Sequence, residues 1–311
     1  MGERVPFDED GDNGLVLDGK YLPEELISQV LLDVDCDTLL NCQLVCARWK
    51  TLLETYVWRK KAEDIMSHSL HCVKDAHWTV HYAICKKQPF ERNLVKNCSG
   101  QNGVEGHWQI INQGGDSWKV ETPPQGVPPL PPGVWPFKGE ESCFVTSFNE
   151  CSKEQTIDLA SEGLTSHLLD TLQPPIAVSE WYSCRWDCEG IYECRVQLLG
   201  DKAKVIDTFE YRAIMLGEAM NKWHYVSHVF KNYGPGLKKI VFRHAGVDKK
   251  FWAGHFGSKM TRASVRAKIL QDREPEPDTS CSAAEKPQVL PIGNEVLDDC
   301  RWDYRFRGIF R

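Results

Sequence analysis

Two aromatic rings stand side by side in the stretch "DKKFWAGHFGSKM", residues 248 to 260, and small residues follow them. In a β-strand, neighbouring side chains point to opposite faces, so Phe251 and Trp252 cannot share one core from within a strand. Freed from that alternation in a loop, the two rings can wall a slot, with Ala253 and Gly254 leaving room beside it. Pyranose rings offer C–H faces that pack on aromatic rings, and their hydroxyls need amide or charged partners. A carboxylate such as Asp187 can accept two such hydroxyls. The competing reading is two core aromatics at a bend.

Other chemistries lack their residues. There is no nucleophile elbow, H-E-x-x-H zinc helix or phosphate-cradling glycine loop. Asp187 and Glu189 are neighbours in sequence, but glycoside hydrolysis depends on how far apart two carboxyls lie in space. Cys184, Cys188 and Cys194 lack the paired C-x2-C spacing of a structural zinc site. The reading is therefore non-catalytic, with no metal and no cofactor.

The elements that must position these residues follow from the rest of the chain. Its 311 residues predict two domains. A net charge of −7 argues against a general nucleic-acid binder. No apolar run is long enough for a membrane span. The first residues are acidic and polar, unlike a signal peptide. Thirteen scattered cysteines then read as reduced thiols in a cytoplasmic protein. In that setting the Asn97-Cys98-Ser99 sequon is a chance match.

Residues 1–20 read as a disordered lead-in. Pro23 with Glu24 and Glu25 signals a helix start, and Leu26, Ile27, Val30, Leu31 and Val34 recur at helical spacing. Asp37 can cap a second helix, and a third carries Trp49, Leu52 and Leu53. Such a small unit cannot hide so many large apolar groups, which predicts a docking surface. Residues 63–88 read as a helical linker. From about residue 89 to 270, short runs rich in Val, Ile, Tyr and Trp, such as "SWKVE" and "KKIVFRHA", predict an antiparallel β-sandwich. The expected class is thus α+β and multidomain. The tract "TPPQGVPPLPPGVWP" is expected to be an extended surface loop, because proline cannot donate a ladder bond. Residues 271–311 read as a mostly disordered tail: "QDREPEPDTSCSAAEKP" offers almost no apolar surface to offset ordering entropy.

Two segments resemble a known family. Leu22-Pro23, the amphipathic helix, "LVCARWKTLL" and Trp58 resemble an F-box, over residues 21–62. "PFERNLVKN", "TIDLASEGL", "LLDTLQPPIAVSEWYSCRWDC" and "NYGPGLKKIVFRHAGVDKKFWAGHFG" are similar to the F-box-associated domain of the sugar-recognising F-box proteins. The resemblance implies a Skp adaptor and cullin-RING scaffold as partners, with Leu22, Pro23, Leu26, Ile27, Val45 and Trp49 on the adaptor surface. It also implies a glycan site built from Phe148, Tyr182, Ser183, Cys184, Asp187, Phe251, Trp252 and Ala253, holding the inner chitobiose of N-glycosylated clients. This chain has Phe251 where family members carry Tyr, Ala253 where some carry Lys, His255 where they carry Trp, and Asn149-Glu150 where they carry Glu-Trp. Two further readings carry the same resemblance: a receptor of this fold that reads a protein degron, and a lectin-like chaperone working without a ligase.

Overall fold

The computed structural model describes residues 14–17, 19–67, 69–70, 76–131 and 141–269. The expected tail over 271–311 and most of the expected lead-in lie outside them. Just ahead of the helices, however, β1 (Val16–Leu17) pairs antiparallel with β2 (Lys20–Tyr21). The helical head follows as α1 (Glu24–Asp33), α2 (Cys36–Cys42), α3 (Ala47–Leu52) and α4 (Trp58–Met66), with one π-helical turn at Leu53–Val57 joining the last two. Local chemistry explains the boundaries. Asp35, rather than the expected Asp37, caps α2, its carboxylate accepting N–H bonds from Asp37 and Thr38 at 3.0 Å. Glu24 and Glu25 occupy the positive end of α1.

The expected linker is not a spacer. Its second half is α5 (Trp78–Lys87), which packs back on α4. Trp58 is fully buried, with the Trp78 ring stacked at 6.2 Å and Tyr82 edge-on at 5.2 Å. These aromatics close the core that the three expected helices could not complete alone.

The C-terminal part is the expected antiparallel sandwich of two five-stranded sheets. One sheet runs β10 (His224–Phe230), β7 (Ile176–Ser183), β12 (Lys259–Ala267), β5 (Cys143–Val145), β4 (Lys119–Glu121). The other runs β3 (Gln109–Gln113), β6 (Cys151–Asp158), β11 (Lys239–Asp248), β8 (Gly190–Leu199), β9 (Val205–Met215). A short helix α6 (Ser166–Leu172) forms where Leu164, Leu168 and Leu169 predict one. The edge strand β9 went unrecognised in the sequence: "VIDTFEYRAIM" mixes charges and large apolar groups without a clean face, because both its sides are half-exposed.

Alternate residues of β7, β8 and β11 point between the sheets, so Val178, Tyr192, Val196, Ile240 and Phe242 make the core. That core also encloses ionisable groups. Lys153 is fully buried, its Nζ 2.9 Å from the Phe144 ring centre and 4.4 Å from that of Trp118. Glu180 is fully buried too, bonded to His244 Nδ1 at 2.7 Å and to the Tyr192 hydroxyl. Glu180 on β7 therefore bonds to residues of the opposite sheet.

His244 has no hydrogen-bond partner at Nε2. Burial pushes the His244 pKa down, against the pull of Glu180 and with the help of nearby Lys153. The folded protein therefore protonates this ring only below the ordinary histidine value, whereas the unfolded chain takes up a proton below about pH 6.5. Stability should accordingly fall as pH drops through that point, by up to about 1.4 kcal/mol per pH unit for this group. The check is an NMR titration beside urea unfolding at pH 7 and 5.5. His244 should titrate below the ordinary histidine value in the folded protein, and the urea midpoint should fall between the two pH values. Protonation near the ordinary histidine value with the sandwich intact would contradict this.

Candidate functional site

Four loops meet at the end of the sandwich where β11 hands over to β12. β11 ends on Asp248, whose buried carboxylate accepts the backbone N–H of Phe251 at 2.5 Å and of Trp252 at 3.3 Å. Those bonds hold Phe251 at φ +56°, in the left-handed region that costs a non-glycine residue about 1–2 kcal/mol. Burial raises the Asp248 pKa, and the two N–H donors oppose that rise. Further along the loop, Ser147 Oγ donates to the Gly254 carbonyl at 2.7 Å, and Asp116 accepts the Gly254 N–H. The loop bearing the aromatic pair is thus tied to the β3–β4 and β5–β6 connections.

The ties decide what is displayed. Phe251 is 57% exposed and Trp252 40% exposed, so the pair is not a core pair at a bend. Phe148 comes from the β5–β6 connection, edge-on to Phe251 with ring centres 5.0 Å apart. It lies against Gly115, where a Cβ would stand 3.0 Å from its ring. Ala253 is exposed on the same loop.

Asp187 reaches this cluster through two cations. Arg185 grips it with Nε at 2.8 Å and Nη2 at 2.9 Å, and the same guanidinium sits 4.8 Å from the Phe256 ring centre. Phe256 in turn meets Trp252 edge-on at 5.6 Å. Lys250 donates to the Asp187 carbonyl at 2.8 Å while its Nζ lies 4.7 Å from the Trp252 ring centre. The Arg185 hydrogen bonds hold the Asp187 carboxyl below the usual carboxylate range. Asp187 is therefore an anion at neutral pH, already aimed by one arginine, with lone pairs left to accept hydroxyl donors.

Tyr182, Ser183 and Cys184 do not line this surface. All three are buried. Tyr182 stacks on Tyr192 at 4.2 Å and shares a hydrogen bond with the Tyr211 hydroxyl at 2.7 Å. Ser183 Oγ donates to the Lys222 carbonyl at 2.8 Å, and burial pushes the Cys184 thiol up to about 11. Tyr182 and Ser183 end β7 on opposite faces, Tyr182 packed between the sheets and Ser183 covered by the segment that leads into β10, and buried Cys184 follows them. Arg185, Asp248, Lys250 and Phe256 were passed over in the sequence. Two signals were present: the Arg-x-Asp spacing of a bidentate pair, and an Asp three residues before Phe251, the spacing of a side chain that caps a turn.

The helical head shows a second candidate surface. Leu26, Val30, Leu44 and Val45 are exposed at 53%, 55%, 83% and 61%. Pro23 is exposed and Leu22 half-buried beside them. Ile27 is buried, and Trp49 is half-buried with its indole N–H on the Gly14 carbonyl. Those two hold the head together instead of facing outward. Along α1, Leu26 and Val30 lie one turn apart on the exposed face while Ile27 sits at its buried edge, and Gly14, just before β1, occupies the Trp49 edge.

Known proteins match both halves. Residues 20–63 match the F-box-like family and residues 85–267 the F-box associated region. F-box only protein 6 of Mus musculus is 34% identical over 82% of this chain and 85% of its own length. F-box only protein 2 of Bos taurus is 36% identical over 85% and 88%, and F-box only protein 27 of Mus musculus 34% over 86% and 97%. Head and sandwich occur together along nearly the whole of these relatives, and the chain belongs to the F-box only proteins that carry an F-box associated region.

Proposed function

We propose that this protein is the substrate receptor of an SCF-type ubiquitin ligase that recognises the inner chitobiose of N-glycans. It performs no bond chemistry. The head holds the Skp adaptor through Leu26, Val30, Leu44 and Val45, which links it to the cullin-RING scaffold. The far end of the sandwich holds the client, so that a client lysine meets the ubiquitin-loaded enzyme at high effective concentration. Clients are misfolded glycoproteins returned to the cytosol. Among the described residues, no helix is long and apolar enough to cross a membrane.

One observation carries the sugar reading: the exposed rings of Phe251 and Trp252 share a pinned loop with an oriented carboxylate two contacts away. Three aromatic contacts at about 1 kcal/mol each and one charge-assisted bond at about 2 kcal/mol sum to about 5 kcal/mol. That corresponds to a Kd on the order of 0.1–1 mM, so capture of clients gains from several glycans per chain. Titrating chitobiose into the full chain, followed by tryptophan fluorescence, should saturate in that range. Absence of saturable binding well above it would turn the reading toward a protein degron.

A further inference from the structure

Trp186 is 63% exposed, more than Phe251 or Trp252, and its ring meets no other ring among the described residues. Its backbone is nonetheless fixed. The Trp186 N–H donates to the Gly126 carbonyl at 3.2 Å, which ties it to the first part of the proline tract. Gly126, at φ +68°, lets that tract press on Arg185: a Cβ there would stand 3.0 Å from the guanidinium carbon. Farther along, Trp223 Nε1 donates to the Pro128 carbonyl at 2.7 Å, and Leu130 is buried. Trp186, Val127, exposed Pro128 and Trp223 therefore form a braced apolar strip.

The strip continues the candidate site. Trp186 stands between Arg185, which lies over Phe256, and Asp187, whose carbonyl holds Lys250 beside Trp252. Its chemistry differs from that of the aromatic slot. Three polar groups beside it are committed: Arg185 to Asp187, the Trp223 indole to Pro128, and the Gln125 amide to the Pro123 carbonyl. Few groups remain to orient sugar hydroxyls, whereas apolar side chains need only area. We infer that this strip binds apolar residues of the client polypeptide next to its glycosylated asparagine. The site then reads a sugar and an exposed hydrophobic segment together, which selects unfolded glycoproteins. This rests on the chitobiose reading above.

The test uses the full chain and its Trp186→Ala variant, with three probes: free chitobiose, chitobiose on an asparagine peptide flanked by Leu, Phe and Val, and the same glycopeptide flanked by Ser and Gly. The parent protein should bind the apolar glycopeptide roughly 3- to 10-fold more tightly than the polar one. Trp186→Ala should erase that difference and leave free chitobiose affinity unchanged. Equal loss for all three probes would make Trp186 a sugar contact and overturn the inference, as would equal binding of the two glycopeptides by the parent. If the parent binds none of the probes, the chitobiose reading fails and takes this one with it.

Discussion

Trp252→Ala is expected to abolish measurable chitobiose binding while the sandwich remains folded. The ring is 40% exposed, so truncation opens no cavity in the core. Its other contacts are the edge of Phe256 and the Lys250 ammonium, both on the same surface. A central aromatic anchor is worth about 2 kcal/mol or more when truncated, or roughly 30-fold in affinity. Starting from a sub-millimolar Kd, that moves binding beyond practical titration. Unfolding midpoints should match those of the parent within about 0.5 kcal/mol, as for surface changes elsewhere. Unchanged affinity in the folded variant would remove Trp252 from the site.

The second large effect lies at the other end of the molecule. Leu44→Asp combined with Val45→Asp should eliminate co-purification with the Skp adaptor and leave chitobiose binding as it is. Leu44 and Val45 follow α2 and are exposed at 83% and 61%, so neither contributes much to the head's own core. Each substitution removes apolar contact area and places a charge where the partner would have to desolvate it. Together these cost at least about 3 kcal/mol, or more than 100-fold in affinity. Trp49→Ala makes a poorer test, because its indole holds the Gly14 carbonyl and its loss disturbs the head itself. Full adaptor capture by the double variant would place the docking surface elsewhere.

The architecture was legible where one-dimensional periodicity maps onto burial. Helical spacing in α1, alternation in β4, β7 and β11, and proline exclusion over 122–131 each reflect local backbone geometry acting on local side chains. The aromatic pair was legible for the same reason, since adjacent rings cannot share a strand face. The strand β9 was missed because both its faces are half-exposed, which leaves no clean alternation to read, and the packing role of α5 because it rests on Trp58 in a different helix.

By itself, then, the sequence determined the class of the protein: a helical head with surplus apolar groups, an antiparallel sandwich, and rings freed from a strand near a carboxylate. Only the tertiary structure decided which of those side chains face outward. Tyr182, Ser183 and Cys184 share a stretch with Asp187, yet they are buried, while Arg185 and Trp186 between them turn to the surface. Ile27 and Leu26 are neighbours on α1, yet one is buried and the other exposed. Asp116 and Ser147, which fasten the aromatic loop at Gly254, come from two other connections far away in the chain. Orientation at a loop is set by hydrogen bonds to groups brought close by folding, and such pairings carry no period that a linear sequence can display.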